Sequence, residues 1–268
     1  MNYSNLFNLS GKTAIVTGGA GILGTHFCKG LSDNGANVVV ADNNIKMAEE
    51  VAHKIGTRSI AIEVELTDED SVEKLIDKTI NHFGDIQILH NNAASKSKDL
   101  KMFFEPADKF DMNIWDEIMK VNVNGLFLAT RQAAKFMMAQ GKGGSIIQTS
   151  SIYGILGPDQ RIYDGSKYLD HQISTPPVYS ASKGAVVSLT KYAATYWAKY
   201  KIRVNCLVPG GVKSGQNKKF NENYSKRIPL GRMANPSEMV GPLVFLASDA
   251  SSYITGQNII VDGGLQAW

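Results

Sequence analysis

The stretch Thr13-Ala14-Ile15-Val16-Thr17-Gly18-Gly19-Ala20-Gly21-Ile22-Leu23-Gly24 decides the fold. Its first five residues are β-branched or apolar and predict a buried strand. The glycines that follow permit a sharp turn at the start of a helix that runs toward Leu31. The N–H groups at such a helix start favour a phosphate group, and glycines let the backbone approach it. The stretch therefore predicts a strand, a nucleotide-binding turn and a helix.

The rest of the chain repeats this alternation of short apolar runs and longer amphipathic segments. Further strands are predicted at 37–41, 59–64, 86–90, 145–149, 202–208 and 258–261. Helical patterns lie between them, for example at 70–83 and 113–140. Strands that alternate with helices predict βαβ units and a parallel sheet covered on both faces. No linker or repeat interrupts the pattern, so we expect one α/β domain over residues 1–268 with about seven strands.

Composition narrows the class of protein. Hydrophobic residues make up 43% and charged residues 20% of the 268 residues, as in soluble globular proteins. The net charge of +3 is too small to indicate nucleic acid as a partner. Cys28 and Cys206 indicate neither a disulfide framework nor a zinc site, and no histidine has ligand spacing. With no signal sequence and no membrane span visible, we expect a cytoplasmic protein that acts on a small molecule without a metal.

Asp42 follows the second predicted strand, where a carboxylate can accept hydrogen bonds from the ribose hydroxyls of a dinucleotide. The same carboxylate would repel a 2′-phosphate, and its neighbours Asn43 and Asn44 are neutral. The alternative role for Asp42 is a helix N-cap. We expect NAD as the cofactor in preference to NADP.

Tyr179 and Lys183 lie four positions apart at the start of a predicted helix, 178–199. Residues at i and i+4 share a helix face, so a phenol and an ammonium would point into one site. A nearby cation favours the phenolate and lowers the pKa of the tyrosine, as a general acid–base residue requires. By itself, the pair is equally compatible with a half-buried tyrosine and a solvated lysine.

Several motifs, taken in order, resemble those of the short-chain dehydrogenase/reductase family. They are His90-Asn91-Asn92-Ala93-Ala94, Val121-Asn122-Val123-Asn124-Gly125, Thr149-Ser150-Ser151-Ile152-Tyr153-Gly154, Tyr179-Ser180-Ala181-Ser182-Lys183, Pro209-Gly210-Gly211-Val212-Lys213-Ser214 and Asp262-Gly263-Gly264. The likeness runs from about Gly11 to Gly264. It implies a Rossmann-type doubly wound parallel sheet, a nicotinamide cofactor and hydride transfer between a secondary alcohol and a ketone.

The resemblance also implies roles for individual residues. Tyr179 would exchange the proton, Ser151 would hydrogen-bond the substrate oxygen, Lys183 would bind the nicotinamide ribose, and Asn122 would hold a relay water. The cofactor-binding residues it implies are Gly18, Gly19, Gly21, Ile22, Leu23, Gly24, Asp42, Glu65, Leu66, Asn92, Ala93, Ala94, Tyr179, Lys183, Pro209, Gly210, Val212 and Ser214. Four positions depart from the family's usual residues: Ile22 and Ala94 replace glycines, Glu65 an aspartate and Ser214 a threonine.

A second pair, Tyr163 and Lys167, has the same spacing and lies nearer to Ser151, close to the family's customary gap. Gly165 falls inside that pair, and no apolar helix period follows it. A buried helical face does follow Lys183, so we assign Tyr179 and Lys183. We therefore interpret 157–177 as an insertion, read as a loop, and 213–230 as the segment that covers the substrate.

Polar and basic side chains in these two segments favour a hydroxylated, anionic substrate. Candidate substrate contacts are Ser151, Tyr153, Arg161, His171, Tyr179 and Gly211. A narrower resemblance, to flagellin-modification or legionaminic-acid-pathway oxidoreductases, implies a sugar phosphate or sugar nucleotide in bacterial surface-sugar biosynthesis. The alternatives are a 3-oxoacyl thioester reductase and a non-catalytic NAD-binding scaffold. The family resemblance also implies a homotetramer or homodimer.

Overall fold

A computed structural model describes residues 3–97, 99–168 and 171–268. Its main sheet has seven strands in the order β3-β2-β1-β4-β5-β8-β9, all paired in parallel. These strands are β1 (Thr13–Thr17), β2 (Asn37–Asp42), β3 (Ser59–Glu63), β4 (Ile88–Asn91), β5 (Gly144–Thr149), β8 (Ile202–Pro209) and β9 (Asn258–Val261). The doubly wound α/β fold expected from the sequence is confirmed.

The helices lie on both faces of this sheet. They are α1 (Ile22–Asp33), α2 (Ile45–Ile55), α3 (Glu69–Phe83), α4 (Leu100–Phe103), α5 (Met112–Met119), α6 (Leu126–Gln140), α7 (Pro177–Trp197), α8 (Lys218–Ser225) and α9 (Val240–Ala247). No helix within the described residues has the length and apolar character that a membrane span requires.

Two hydrophobic cores cover the two faces, because successive side chains of a strand point to opposite sides. In β1, Ile15 packs into the core with residues of α3, α6 and α7, whereas Ala14 and Val16 pack into the core with α1, α2 and α9. Every residue of β1 is buried, as expected for an inner strand of a parallel sheet.

Two regions differ from the sequence expectations. The single helical pattern over 113–140 is interrupted by a π-helix, Lys120–Gly125, which separates α5 from α6. The 157–177 segment, read as a loop, contains a 3-10 helix, Gln160–Tyr163, and a short antiparallel hairpin of β6 (Lys167–Tyr168) and β7 (His171–Gln172). Neither feature has a hydrophobic period long enough to be read from the sequence.

Candidate active site

The predicted site residues gather at the carboxyl ends of the central strands. The sheet order changes direction between β1 and β4, which is where parallel α/β sheets bind their ligands. In this register Thr17 lies opposite Asn91, so the glycine-rich turn after β1 and the segment after β4 leave the sheet side by side.

The glycine-rich turn is packed too tightly for side chains. Gly18 has a φ of +62°, and a Cβ on Gly24 would lie 2.0 Å from the Gly18 carbonyl oxygen. A Cβ on Gly19 would lie 2.9 Å from Val40 Cγ1 on the neighbouring strand. These glycines therefore set the path of the turn and bring α1 close to the sheet.

The start of α1 has open N–H groups. Gly21 is its N-cap residue, and within the described part of the chain no side chain caps this helix. By contrast, Asn44 caps α2 and Asp68 caps α3. The side chain of Ile22, on the first turn, is 56% exposed. The uncapped N–H groups of α1 fit a phosphate group.

Asp42, the last residue of β2, faces this turn. Its Oδ2 accepts a hydrogen bond from Ala20 N at 3.0 Å, and its Oδ1 accepts one from Asn44 N at 3.0 Å. Asp42 is not the cap of α2, because Asn44 accepts the hydrogen bond from Met47 N. The carboxylate therefore lies beside the glycine-rich turn, where a ribose would meet it.

Asn92 and Ala93 join the end of β4 to the same turn. Asn92 Nδ2 donates to the carbonyl oxygens of Thr17 and Gly18, at 3.3 and 3.1 Å. The Thr17 hydroxyl accepts from the N–H groups of Asn92 and Ala93. Thr17 was not singled out in the sequence, although its place at the end of β1 was visible.

Three further cofactor candidates border this region. Ala94 is exposed, and Leu66 is buried against Gly125, where an added Cβ would lie 2.9 Å from Leu66 Cβ. Glu65 turns its carboxylate to its own loop and accepts from Thr67 N and Thr67 Oγ1 at 3.0 and 2.8 Å.

Ser151, Tyr179 and Lys183 meet at the ends of β5 and α7. Ser150 Oγ donates to the Lys183 carbonyl oxygen at 2.7 Å, which fixes the serine loop against the first turns of α7. Lys183 is only 4% exposed, and its Nζ donates to the Thr149 carbonyl oxygen at 3.0 Å. The Ser151 hydroxyl is close enough to Tyr179 to act on the pKa of its phenol. The three side chains predicted to act together are thus brought together.

The electrostatics of this group differ from the sequence expectation. Burial raises the pKa of Tyr179 above its usual value, and only the nearby Ser151 hydroxyl acts to lower it. Burial also lowers the pKa of Lys183 to about 8. The Lys183 ammonium lies 6.0 Å from the centre of the Tyr179 ring and donates to Thr149, so in this arrangement burial of the phenol outweighs the cation.

Asn122 lies in the π-helix and is buried. Its Oδ1 accepts from Ser95 N at 2.7 Å, and its Nδ2 donates to Ser182 Oγ at 3.3 Å. Ser182 is on α7 next to Lys183, so Asn122 connects the segment after β4 to the helix that carries Tyr179. A π-helix at this position agrees with the frequent occurrence of such turns at functional sites.

The loop after β8 leaves the sheet beside the end of β5. Gly210 N donates to the Val261 carbonyl oxygen at 2.9 Å, and a Cβ on Gly210 would lie 2.7 Å from Asp262 Cα. Val212 pairs with Ala234. Pro209 ends β8, and Ser214 is exposed, with its N–H donating to Gln216 Oε1.

The substrate candidates have different surroundings. Arg161 is paired with Asp159, and its side chain is 84% exposed. Gly211 is covered by Tyr224, since an added Cβ would lie 2.2 Å from Tyr224 Cε1. The side chain of His171 lies outside what the structure describes, as does all of Asp170.

Tyr224 was missed in the sequence, where nothing distinguishes it from other tyrosines. Burial raises its pKa to about 12 and also raises the pKa of Tyr153, while nearby Arg227 acts in the opposite direction on both. Tyr153, Tyr163 and Tyr224 belong to one buried cluster. Aromatic rings with hydroxyl groups therefore form the wall beside Gly211.

The second candidate pair, Tyr163 and Lys167, does not form a helical pair. Tyr163 ends a 3-10 helix and Lys167 lies in β6 with an exposed side chain. Tyr179 and Lys183 share α7, as the assignment from the sequence requires.

Comparison with known proteins agrees with this geometry. The sequence model of a family described as enoyl-(acyl carrier protein) reductase matches residues 18–266. The chain is 34% identical, over 96% of both chains, to 2-dehydro-3-deoxy-D-gluconate 5-dehydrogenase of Escherichia coli (strain K12). It belongs to the short-chain dehydrogenase/reductase family.

Two solved structures of this family are similar over nearly their whole length. One is a gluconate 5-dehydrogenase from Burkholderia cenocepacia in complex with NADP and tartrate, with a TM-score of 0.86, 31% identity and 98% coverage of both chains. The other is a short-chain dehydrogenase from Leptospira borgpetersenii with bound NAD+, with a TM-score of 0.86, 33% identity and coverage of 99% and 97%. The chain is therefore an oxidoreductase with a nicotinamide cofactor.

Proposed function

We propose that this protein is an NAD-dependent dehydrogenase that interconverts a secondary alcohol and a ketone on a hydroxylated, anionic substrate of the sugar-acid class. The observation that carries the proposal is the meeting of Ser151, Tyr179 and Lys183 at the same edge of the sheet as the uncapped start of α1. Relatives named for gluconate and 2-dehydro-3-deoxy-D-gluconate support the substrate class.

The cofactor, when bound, would supply or accept the hydride at its nicotinamide ring. Gly18 to Gly24 and the N–H groups of α1 would hold its pyrophosphate, Asp42 its adenosine ribose, and Lys183 its nicotinamide ribose. The candidates Asn92, Ala93, Pro209, Gly210, Val212 and Ser214 would border the nicotinamide, and Glu65, Leu66 and Ala94 the adenosine half.

Tyr179 would give a proton to the substrate oxygen during reduction and take it back during oxidation. Ser151, close to Tyr179, would donate to the same oxygen as negative charge develops on it. A phenol with a raised pKa stays protonated at neutral pH, so in this state Tyr179 is ready to act as the acid. Asn122 would order the path by which that proton is replaced.

Asp42 favours NAD over NADP, because its carboxylate would face a 2′-phosphate with like charge. This preference is independent of the substrate class, since family members with either cofactor have similar folds.

A second candidate is reduction of a 3-oxoacyl thioester, which a relative from Thermotoga maritima named 3-oxoacyl-(acyl-carrier-protein) reductase, 32% identical to this chain, favours. Three further points stay predictions. They are a sugar phosphate or sugar nucleotide from a surface-sugar pathway as substrate, the cytoplasmic location, and assembly as a homotetramer or homodimer.

The test is NADH absorbance with purified protein, run in both directions with NAD and with NADP. The panel contains D-gluconate, 2-dehydro-3-deoxy-D-gluconate, sugar phosphates, sugar nucleotides and a 3-oxoacyl thioester. We expect turnover with a sugar acid and NAD. Turnover with the thioester alone would reject the substrate class, and NAD binding without turnover on any member would favour a non-catalytic scaffold.

A further inference from the structure

One side of α8 is occupied by the 157–177 segment. The contacting residues are Asn217, Phe220, Asn223 and Arg227, which recur every three or four positions from the N-cap of α8 to the turn after it. Residues with this spacing share one side of a helix. Residues 159–167 of the segment therefore lie along the full length of α8.

Two asparagines donate to the segment's backbone and to its buried serine. Asn223 Nδ2 donates to the carbonyl oxygens of Asp164 and Ile162, at 3.0 and 3.3 Å. Asn217 Nδ2 donates to Ser166 Oγ at 2.7 Å. Each bond joins residues more than 50 positions apart, since the separations are 61, 59 and 51.

Aromatic and apolar contacts lie between these hydrogen bonds. The rings of Tyr163 and Phe220 have their centres 5.3 Å apart, and Phe220 and Tyr224 follow at 5.6 Å. Ile162 is buried in the same cluster as Ile228. The interface between the segment and α8 therefore has a small hydrophobic core, with hydrogen bonds on both sides of it.

The ends of the segment are also fixed. At one end Asp159 pairs with Arg227, whose Nε lies 3.3 Å from Asp159 Oδ2. At the other end Thr175 Oγ1 lies 2.9 Å from the Tyr163 hydroxyl, just before α7 begins. The segment thus spans the distance from α8 to the helix that carries Tyr179.

The position of α8 matters to the site because of Tyr224. This residue lies on Gly211, in the loop after β8, and packs in the same cluster as Ile152, the residue that follows Ser151. A displacement of α8 would move Tyr224 relative to Tyr179. The residues that hold α8 in place therefore also fix the position of Tyr224, in the wall that a substrate would contact.

We propose that Asn223, with Asn217, is a positioning residue that fastens the 157–177 segment to α8, so that the two move as one unit beside Ser151. The proposal deepens the proposed function, on which it rests, by assigning substrate affinity to this unit. It predicts that loosening the contact weakens substrate binding and leaves the cofactor site intact.

The test compares Asn223→Ala with Asn221→Ala. Asn221 is on the same helix, but its Nδ2 donates to Gln216 within the 213–230 segment. Hydrogen exchange of the purified protein, which needs no substrate, is measured first. We expect Asn223→Ala to accelerate exchange in both 157–168 and 217–225, whereas Asn221→Ala leaves 157–168 protected. Equal behaviour of the two variants, or faster exchange in α8 alone, would overturn the proposal.

Kinetics with the most active sugar acid of the panel give the second readout. We expect Asn223→Ala to raise KM by about tenfold to a hundredfold, as misplacement of a substrate-contacting group does, with kcat changed less and Kd for NAD unchanged. Asn217→Asp removes the amide donor but keeps the side-chain oxygen that accepts from Phe220 N and caps α8. This variant should also raise KM.

The two proposals fail in different ways. If the wild type turns over no sugar acid, the proposed substrate class fails, while hydrogen exchange still decides whether the unit exists. Faster exchange of 157–168 with an unchanged KM would show that the unit does not set substrate affinity and would overturn the positioning role.

Discussion

A methyl group added at Gly24 would lie 2.0 Å from a backbone oxygen, whereas one added at Gly165 would meet, among the described residues, the Lys219 side chain at 3.4 Å. The first glycine belongs to the cofactor end of the site, which comprises the 18–24 turn, Asp42 and Asn92. The second belongs to the substrate end, which comprises the 157–177 segment and α8. The cofactor end is fixed by backbone packed on backbone together with side-chain hydrogen bonds from Asp42 and Asn92, whereas the contact of the 157–177 segment with α8 is made by side chains of α8.

This difference matches what each end has to do. A pyrophosphate is the same in every dinucleotide, so a rigid turn of N–H groups suits it. The wall beside Gly211 is built from side chains such as Tyr224 and Phe220, which can change without disturbing the sheet. Substrate choice can therefore vary within one family while cofactor binding stays fixed.

The largest effect that separates the two ends is expected for Gly24→Ala. The added methyl group has no room, so we expect a loss of about 3 kcal/mol or more in the free energy of unfolding, together with loss of NAD binding. Urea denaturation and calorimetric titration with NAD measure both quantities.

Gly165→Ala is the matched substitution at the substrate end. Its φ of +70° gives a strain of about 1 kcal/mol, but the space is open. NAD should still bind to Gly165→Ala. A Gly24→Ala protein that binds NAD normally, or a Gly165→Ala protein that does not, would contradict the comparison.

A smaller effect is expected for Asp42→Ala, which leaves the glycines in place. Loss of hydrogen bonds to a charged group should weaken NAD binding by about tenfold to a hundredfold and NADP binding much less. The control is Asn43→Ala, an exposed neighbour. Titration with both cofactors measures the ratio, and an unchanged ratio would reject the role of Asp42.

The smallest effect concerns His90, which lies in β4 beneath the cofactor end. Burial lowers its pKa to about 3, and its Nε2 lies 2.8 Å from Thr149 Oγ1. The unfolded chain binds a proton at His90 near pH 6.5, whereas the folded chain binds it only near pH 3. The free energy of unfolding therefore decreases as the pH falls from about 6.5 toward 3. The wild type should lose about 2 kcal/mol more than His90→Asn between pH 7 and pH 5. Urea denaturation at the two values measures this, and equal losses would contradict the assignment.

Much of the cofactor end could be predicted from the sequence, because its features are local. The strand 13–17, the glycines that follow it and Asp42 at the end of β2 all occur where their neighbours in the chain predict them. The pair Tyr179 and Lys183 could also be predicted from the sequence, since Pro177 begins α7 and an apolar period follows.

The substrate end could not be predicted in the same way, because its contacts join distant positions through single side chains. Nothing near Asn223 in the sequence indicates that its amide donates to Ile162 and Asp164. Arg161 was selected for its charge, but Asp159, two positions away, holds it at the surface. The pKa of Tyr179 was misjudged for a related reason, since spacing shows which groups are near and does not show how deeply they are buried.

The most direct measurement of the central claim is single-turnover hydride transfer by Tyr179→Phe and Tyr163→Phe, followed by NADH absorbance with the substrate found in the panel. Both variants keep the ring and lose one hydroxyl. We expect Tyr179→Phe to bind NAD with unchanged Kd and to lose turnover by about 10²–10⁴-fold or more, while Tyr163→Phe changes turnover by less than about tenfold. Turnover that survives in Tyr179→Phe and collapses in Tyr163→Phe would contradict the account and move the acid–base group to the 157–177 segment.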